Sequence, residues 1–162
     1  MSCNLALTMV DCMDELAVSR EKDPEKRLGT LRVKALLENV PLAMDCVAEL
    51  ARKIDLDKRT LYEIQLAVDE ACANVADHAY SGGEPGDMEV SCCLEGQLLT
   101  IRVRDWGRGF DPKSVVVPDV DAPLEERTLG GLGLFIVRQV MDYVQFTMDP
   151  ETGNELRMVK RL

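Results

Sequence analysis

Two pairs of short alternating segments, each pair joined by only a few residues, constrain the fold more than any other feature of the chain. Residues 88–94 and 98–104 place apolar and polar side chains at alternate positions, the pattern of strands with one buried face. The sequence EGQ between them predicts an antiparallel hairpin. Residues 143–148 and 155–160 repeat this pattern around the turn sequence DPETGN, and residues 31–37 predict one more strand.

Helical periodicity accounts for most of the remaining apolar residues. It covers residues 42–53, 58–79 and 132–141, and Asn39 and Asp57 are the predicted N-terminal caps of the first two helices. The order along the chain is strand, two helices, two strands, a long loop, a helix and two strands. This order predicts an α+β fold in which helices cover one face of a mixed or antiparallel sheet.

Length and charge limit the organisation of the chain and its partners. With 162 residues, the chain is expected to form one domain around one core. Residues 1–29 end in a charged stretch and are interpreted as an N-terminal extension, helical or flexible, before a domain at residues 30–162. The net charge of −10 argues against direct binding of nucleic acid, whose phosphates attract Lys and Arg. No apolar run approaches the length that crosses a membrane, so no membrane partner is expected.

The cysteines indicate a reducing compartment. The six cysteines show no CxxC spacing and the chain has a single His, so a zinc site is not expected. No signal-peptide pattern opens the sequence, and reduced thiols in a cytoplasmic protein are therefore the default expectation. Cys46 and Cys72 are interpreted as small core residues.

The helix predicted at residues 58–79 carries a row of polar side chains beside its apolar stripe. Glu70, Asn74 and His78 in the sequence DEACANVADHAY are each four residues apart and share one helix face. An amide oxygen is a suitable ligand for Mg²⁺, and a carboxylate one turn away can accept a proton from a hydroxyl. His78 is interpreted as a structural or pocket-edge residue. The alternative for the row is an ordinary solvated face of an amphipathic helix.

The sequence DWGRGF follows the strand at residues 98–104. Gly107 and Gly109 permit close approaches that a Cβ atom would block. Asp105, at the strand end, can accept a hydrogen bond from an amino group such as that of adenine. An Asp followed by glycines is equally expected in a turn that only ends a strand, so both interpretations stay open on this segment alone.

A glycine cluster in the sequence GGLGLFIV opens the last predicted helix. Gly130, Gly131 and Gly133 lie where free N–H groups and the helix dipole favour phosphate. The sequence lacks the Lys-Ser/Thr ending of a P-loop and does not follow a strand, so it is not a Walker A motif. A flexible hinge is the alternative. Gly is only modestly favoured at helix N-termini, so this cluster favours phosphate binding.

These three segments, in this order, resemble the N, G1 and G2 boxes of the GHKL ATPase superfamily. Residues 30–162 are most similar to bacterial anti-sigma factor serine/threonine protein kinases, of which DEACANVADHAY, GGLGLFIV and the ending MVKRL are typical. The resemblance implies a Bergerat-type ATP-binding fold. Carried over box by box, it implies that Glu70 is the general base, Asn74 the Mg²⁺ ligand and Asp105 the residue that binds the adenine amine.

The glycines and the long loop also receive roles from the resemblance. It implies that Gly107 and Gly109 shape the adenine wall and that residues 111–129 form a lid over ATP. The same resemblance assigns the phosphates to the glycines at the start of the last helix, Gly130, Gly131 and Gly133.

The implied function is that of an ATP-dependent serine/threonine protein kinase of the anti-sigma type. Such kinases phosphorylate a STAS-type anti-anti-sigma protein, also bind a sigma factor, and usually form homodimers. Two other functions are alternatives, and the first of them would use the same pocket residues. One is a non-catalytic nucleotide-binding module that switches partners, and the other is the ATP-binding domain of a histidine-kinase-like system. Two observations argue against the latter: the chain has no predicted dimerisation helix with a phosphoaccepting His, and Glu instead of Asn stands at position 70.

Overall fold

An antiparallel sheet with helices packed against it forms the body of the protein. The structure, a computed structural model, describes residues 26–109 and 132–162. The strands in these residues are β1 (Lys26–Lys34), β2 (Asp87–Glu95), β3 (Leu98–Asp105), β4 (Tyr143–Asp149) and β5 (Gly153–Arg161). The helices are α1 (Val40–Lys53), α2 (Lys58–Asn74) and α3 (Leu132–Val140), with a 3₁₀ turn at Leu37–Asn39 and a π-helical turn at Val75–Ala79.

All neighbouring strands of the sheet are antiparallel, in the spatial order β1-β2-β3-β5-β4. The core lies between the helices and one sheet face, where alternate residues such as Met88, Val90, Ile101 and Val103 are fully buried. The predicted α+β class, the two hairpins and the helix covering residues 58–79 are thus confirmed. In the part of the chain that the structure describes, no helix is both long and apolar enough to span a membrane.

The first strand starts and ends earlier than its alternation predicted. Lys26 is already paired with Leu94, and the pairing continues through a bulge between Arg27 and Gly29. Backbone groups make this pairing, so it needs no alternation of apolar side chains. Because Lys26 and Arg27 are charged, residues 26–29 show no alternation that would predict a strand. Residues 26–29 therefore belong to the sheet, whereas the predicted boundary placed them in the extension.

The two predicted helix caps have different outcomes. Asp57 caps α2 as expected, since its Oδ1 accepts hydrogen bonds from the backbone N–H groups of Arg59 (2.9 Å) and Thr60 (3.0 Å). Asn39 is the N-cap residue of α1 as predicted, but its side chain makes no capping hydrogen bond, and its amide donates instead to the carbonyl oxygen of Lys34 (3.0 Å). This bond ties the start of α1 back to the end of β1.

A side chain from the last strand joins the two helices that carry the sequence motifs. Lys160 Nζ donates to Glu63 Oε2 on α2 (2.6 Å) and to the carbonyl oxygen of Val140, the last residue of α3 (2.7 Å). A cation at the C-terminal end of α3 is also favoured by the helix dipole. Lys160 on β5 therefore helps to hold α2 and α3 in position relative to each other and to the sheet.

Cys46, Cys72 and Cys92 are free thiols, and the buried ones behave as core residues. Cys72 on α2 and Cys92 on β2 are buried, and burial raises the pKa of each thiol to about 12. Cys46 on α1 is partly buried, and burial raises its pKa as well. The interpretation of Cys72 as a core residue is confirmed.

Candidate nucleotide site

An open cleft lies between the C-terminal end of α2, the end of β3 and the start of α3. Its empty volume is about 460 Å³, including solvent at its mouth, which is in the range of small-molecule sites. Apolar side chains form most of its wall, with a few polar groups among them. The lining residues are Ala71, Asn74, Val75, His78, Ala79, Val103, Asp105, Arg108, Gly109, Leu134, Phe146, Asn154 and Leu156.

Beside Asn74, which lines one end of this cleft, the structure brings together residues from two of the sequence motifs. Gly133, in the first turn of α3, lies directly against the polar row of α2. A Cβ atom at this position would be 2.6 Å from Glu70 Oε2 and 3.4 Å from Asn74 Nδ2. Gly133 therefore lets the start of α3 approach the carboxylate and the amide. Such a helix start also presents N–H groups that attract an anion.

Glu70 lies in an environment that makes it a stronger base than a free carboxylate. Partial burial is the main cause and the neighbouring charge of Asp69 the second, and both raise its pKa above the ordinary 4.5. A raised pKa increases the tendency of the ionised carboxylate to take a proton. The arrangement suits proton transfer at this end of the cleft.

At the other end of the cleft, Asp105 is held in one orientation by two donors. The residue is only 6% exposed and is the last of β3. Its Oδ1 accepts hydrogen bonds from the backbone N–H of Gly107 (2.9 Å) and from Asn154 Nδ2 (2.8 Å). Within residues 26–109 and 132–162, Oδ2 accepts no hydrogen bond. The carboxylate thus has one oxygen bound to the protein and one able to accept a bond from a ligand amine.

Asn154 is the site residue that sequence reasoning missed. It is paired directly with Asp105 across β3 and β5 and is also 6% exposed. Besides its bond to Asp105, its Nδ2 donates to the carbonyl oxygen of Gly107 (3.2 Å). In the sequence it stands in the turn segment DPETGN, where Asn is expected anyway. Only the register of β3 against β5 shows its role.

The two glycines after Asp105 allow close approaches to the protein itself. A Cβ atom at Gly107 would overlap the carbonyl oxygen of Ala79 at the end of the π-helical turn. A Cβ atom at Gly109 would lie 2.5 Å from Met148 Sδ and 2.9 Å from Asn154 Oδ1. These glycines therefore pack the loop against the end of the α2 segment and against the β4–β5 hairpin.

The structure describes only some of the remaining predicted residues. His78 lines the cleft, as expected of a pocket-edge residue. Gly130, Gly131 and the proposed lid at residues 111–129 lie outside the described residues. Among the residues that are described, no group of three or more His, Cys, Asp and Glu side chains could hold a metal ion. A single amide such as Asn74 suits a Mg²⁺ ion that takes its other ligands from water and phosphates.

Replacing Asn154 with Ala should weaken ATP binding through Asp105. The change removes one of the two donors that hold the carboxylate and leaves a buried acceptor with one bond fewer. The free energy of unfolding should fall by about 1–3 kcal/mol. ATP affinity should fall by roughly tenfold, equivalent to about 1.4 kcal/mol. Urea unfolding and calorimetric titration measure the two quantities.

The matched control for this experiment is Asn39→Ala. Asn39 also donates one side-chain hydrogen bond to a backbone carbonyl, but at the start of α1. This variant should lose some stability and keep the ATP affinity of the unchanged protein. Equal ATP affinity in both variants would contradict a role of Asn154 in the site.

Comparison with known proteins places the chain in a family. The family model described as the histidine kinase-like ATPase domain matches residues 33–160, and the chain belongs to this family. The predicted GHKL resemblance is thereby confirmed. All predicted site residues fall within the matched range.

Individual relatives agree with the family. The chain is 35% identical over 136 residues to a serine-protein kinase RsbW of Halalkalibacterium halodurans, covering 82% of both proteins. It is 32% identical over 124 residues to the serine-protein kinase RsbW of Listeria monocytogenes, covering 74% of this chain and 79% of the relative. It is 29% identical over 132 residues to the anti-sigma F factor of Bacillus subtilis, covering 82% and 90%.

A solved structure has a similar fold. A crystal structure of the RsbU and RsbW domains of a Mycobacterium tuberculosis protein matches with a TM-score of 0.59 at 17% identity. The match covers 83% of this chain and 32% of that longer chain. Because the two sequences are only 17% identical, the match bears on the fold alone.

Proposed function

We propose that this chain is an ATP-dependent serine/threonine protein kinase of the anti-sigma type whose substrate is a STAS-type anti-anti-sigma protein. The kinase class follows from the family and from relatives that are serine-protein kinases. One observation supports the site assignment above all others. A single cleft is lined by Asn74, which lies with Glu70 against Gly133, and by Asp105, whose carboxylate has only Oδ1 bound by donors of the described residues.

ATP would span this cleft with its base at Asp105. The free Oδ2 of Asp105 would accept a hydrogen bond from the adenine amine, while Asn154 and Gly107 hold Oδ1. Apolar neighbours such as Val103 and Leu156 would contact the flat faces of the base. Gly130, Gly131 and Gly133, at and before the start of α3, would hold the phosphates, and residues 111–129 would close over them.

The side-chain oxygen of Asn74 would hold Mg²⁺ beside the phosphates. An amide oxygen on a helix that borders the phosphate end provides the hard, neutral ligand that this ion accepts. Mg²⁺ would offset the negative charge that develops during phosphoryl transfer. Asn74 is therefore proposed to contribute to nucleotide binding only through the metal.

Glu70 would act as the general base. The hydroxyl oxygen of the substrate Ser or Thr forms a bond to the γ-phosphorus, and the bond from that phosphorus to the bridging oxygen breaks. The hydroxyl proton passes to Glu70, and ADP leaves. The raised pKa of Glu70 matches this task better than an exposed carboxylate would.

The partners would be whole folded proteins. Besides the STAS-type substrate, a sigma factor would bind in an alternative complex, and the chain would form a homodimer in the cytoplasm. The net charge of −10 suits a basic docking face on a partner and disfavours nucleic acid. The domain that carries the activity would begin at β1, with the residues before it as an extension.

Mass spectrometry of a STAS-domain partner after incubation with ATP and Mg²⁺ tests this function. The expected result is one phosphorylated Ser or Thr on the partner and little phosphorylation of short peptides. Tight nucleotide-dependent binding without modification would indicate a partner-switch module instead. A modified His or Asp would indicate a histidine-kinase-like system.

A further inference from the structure

One tyrosine hydroxyl joins three elements around the cleft. Tyr80 follows the π-helical turn that ends the α2 segment. Its Oη donates a hydrogen bond to the carbonyl oxygen of Asp87, the first residue of β2 (2.7 Å). The same oxygen accepts a hydrogen bond from the backbone N–H of Trp106, the residue after Asp105 (2.9 Å). A single side-chain oxygen thus connects the helix, β2 and the loop after β3.

The hydrogen bonds of Tyr80 matter because one bound nucleotide must contact residues of the helix and residues at the end of β3. Glu70 and Asn74 lie on the helix, whereas Asp105 lies at the end of β3. Among the described residues, two further contacts join the end of the helical segment to the loop after Asp105, the bond from the N–H of Arg108 to the carbonyl oxygen of Ala79 (2.6 Å) and the packing of Gly107 on that oxygen. Both of these involve main-chain atoms, so of the three contacts only that of Tyr80 can be removed by deleting a side-chain group.

We propose that Tyr80 is a positioning residue that holds the Asp105 loop at a fixed distance from the helix bearing Glu70 and Asn74. Its hydroxyl sets the place of Asp105 and thereby the preference of the site for a base that carries an amine. This inference rests on the proposed binding of the adenine amine by Asp105.

The surroundings of Tyr80 are built to keep the ring and its proton in place. A Cβ atom at Gly86 would overlap the ring of Tyr80, so only glycine at this position leaves room for the ring. Burial raises the pKa of the hydroxyl, which keeps it protonated for its bond to Asp87. Asp87 is in turn paired with Arg32 (3.0 Å) and Lys34 (2.8 Å) on β1, which fix the start of β2.

The test compares two nucleotides that differ only in the amine. ATP and purine riboside triphosphate, which has hydrogen in place of the amine, are titrated by calorimetry into the unchanged protein and into Tyr80→Phe. The unchanged protein should prefer ATP by roughly tenfold or more. Tyr80→Phe should reduce this preference to about two- to threefold, mainly by loss of ATP affinity. The ratio of the two affinities does not depend on the fraction of protein that is folded. A substitution that only lowers the folded fraction would therefore leave the ratio unchanged.

Two control variants distinguish the proposed role of Asp105 from that of Tyr80. Tyr62→Phe removes a hydroxyl from a side chain of α2 that is 65% exposed, and it should keep the full preference for ATP. Asp105→Asn should lose the preference directly. No preference in the unchanged protein would refute both the role of Asp105 and that of Tyr80. Loss of preference in Asp105→Asn with full preference in Tyr80→Phe would refute the role of Tyr80 alone.

Gly86→Ala provides a second variant in case Tyr80→Phe does not fold. It keeps the hydroxyl but places a methyl group where the ring lies, so the ring must move. A reduced preference for ATP in this variant supports the inference, and an unchanged preference overturns it.

Discussion

Glu70→Gln should still bind ATP and should transfer phosphate more slowly by a factor of about 10²–10⁴, the usual contribution of a general base. Glutamine has the size of glutamate but cannot accept the hydroxyl proton. The side chain lies next to Gly133 at the start of α3, so an isosteric change keeps the packing there. Calorimetric affinity for ATP and the rate of phosphorylation of a STAS-domain partner measure the two effects separately.

Asp77→Asn is the matched control for Glu70→Gln. It removes one carboxylate charge from the end of the same helical segment, at an exposed position. Its rate of phosphate transfer should match that of the unchanged protein. A Glu70→Gln protein with a normal rate would exclude Glu70 as the base.

In contrast, Asn74→Ala should lose the part of the nucleotide affinity that depends on Mg²⁺.

The pH dependence of the rate gives a second measure of the same group. Because the pKa of Glu70 is raised, the rate should fall on acidification at a pH above 4.5, as the base becomes protonated. The charge of Asp69 contributes to this rise, so Asp69→Asn favours the ionised form of Glu70 and should move the fall to lower pH. The acid limb due to this group should be absent in Glu70→Gln.

Local sequence patterns were sufficient for most of the fold. Alternation located both hairpins, and the long helical period located α2 together with its π-helical end. The family and the kinase class inferred from the three motifs are confirmed by the relatives. The predictions of strands and helices succeeded because each depends on residues that are close in the sequence and repeat a simple period.

The features that were missed depend on contacts between distant residues. Lys26 was assigned to an extension because its pairing with Leu94 uses the backbone and leaves no pattern in the side chains. Asn39 occupies the N-cap position of α1, yet its side chain makes no capping bond and its amide donates to the carbonyl oxygen of Lys34, five residues earlier. Asn154 could not be distinguished from an ordinary turn residue until β5 was paired with β3.

The relation between the three motifs also required the structure. Sequence order predicted that they belong to one site, but it gave no distances between them. The approach of Gly133 to Glu70 depends on how α3 packs against α2. The contact between the Asp105 loop and the helix end depends on Ala79 and Tyr80, whose roles were not visible in the motif that contains them.

Asp105→Asn should weaken ATP binding by about 1.5–3 kcal/mol, which is roughly 10- to 150-fold in affinity. The amide keeps an oxygen where Oδ1 can still accept from Gly107 and Asn154, so the loop should keep its shape. The second position becomes an NH₂ group, which directs hydrogens at the adenine amine where an acceptor is required. Calorimetric titration of ATP with a parallel thermal unfolding experiment measures this loss and checks the fold.

Asp149→Asn is a closely matched control for this change. Asp149 Oδ1 also accepts two backbone N–H groups, from Glu151 (2.7 Å) and Thr152 (2.9 Å), but in the turn between β4 and β5. The substitution should leave ATP affinity unaltered, because this carboxylate does not line the cleft. If Asp105→Asn bound ATP as tightly as Asp149→Asn does, Asp105 would not be the residue that contacts the adenine amine. The orientation of its free oxygen would then need another explanation, and the inference about Tyr80 would fail with it.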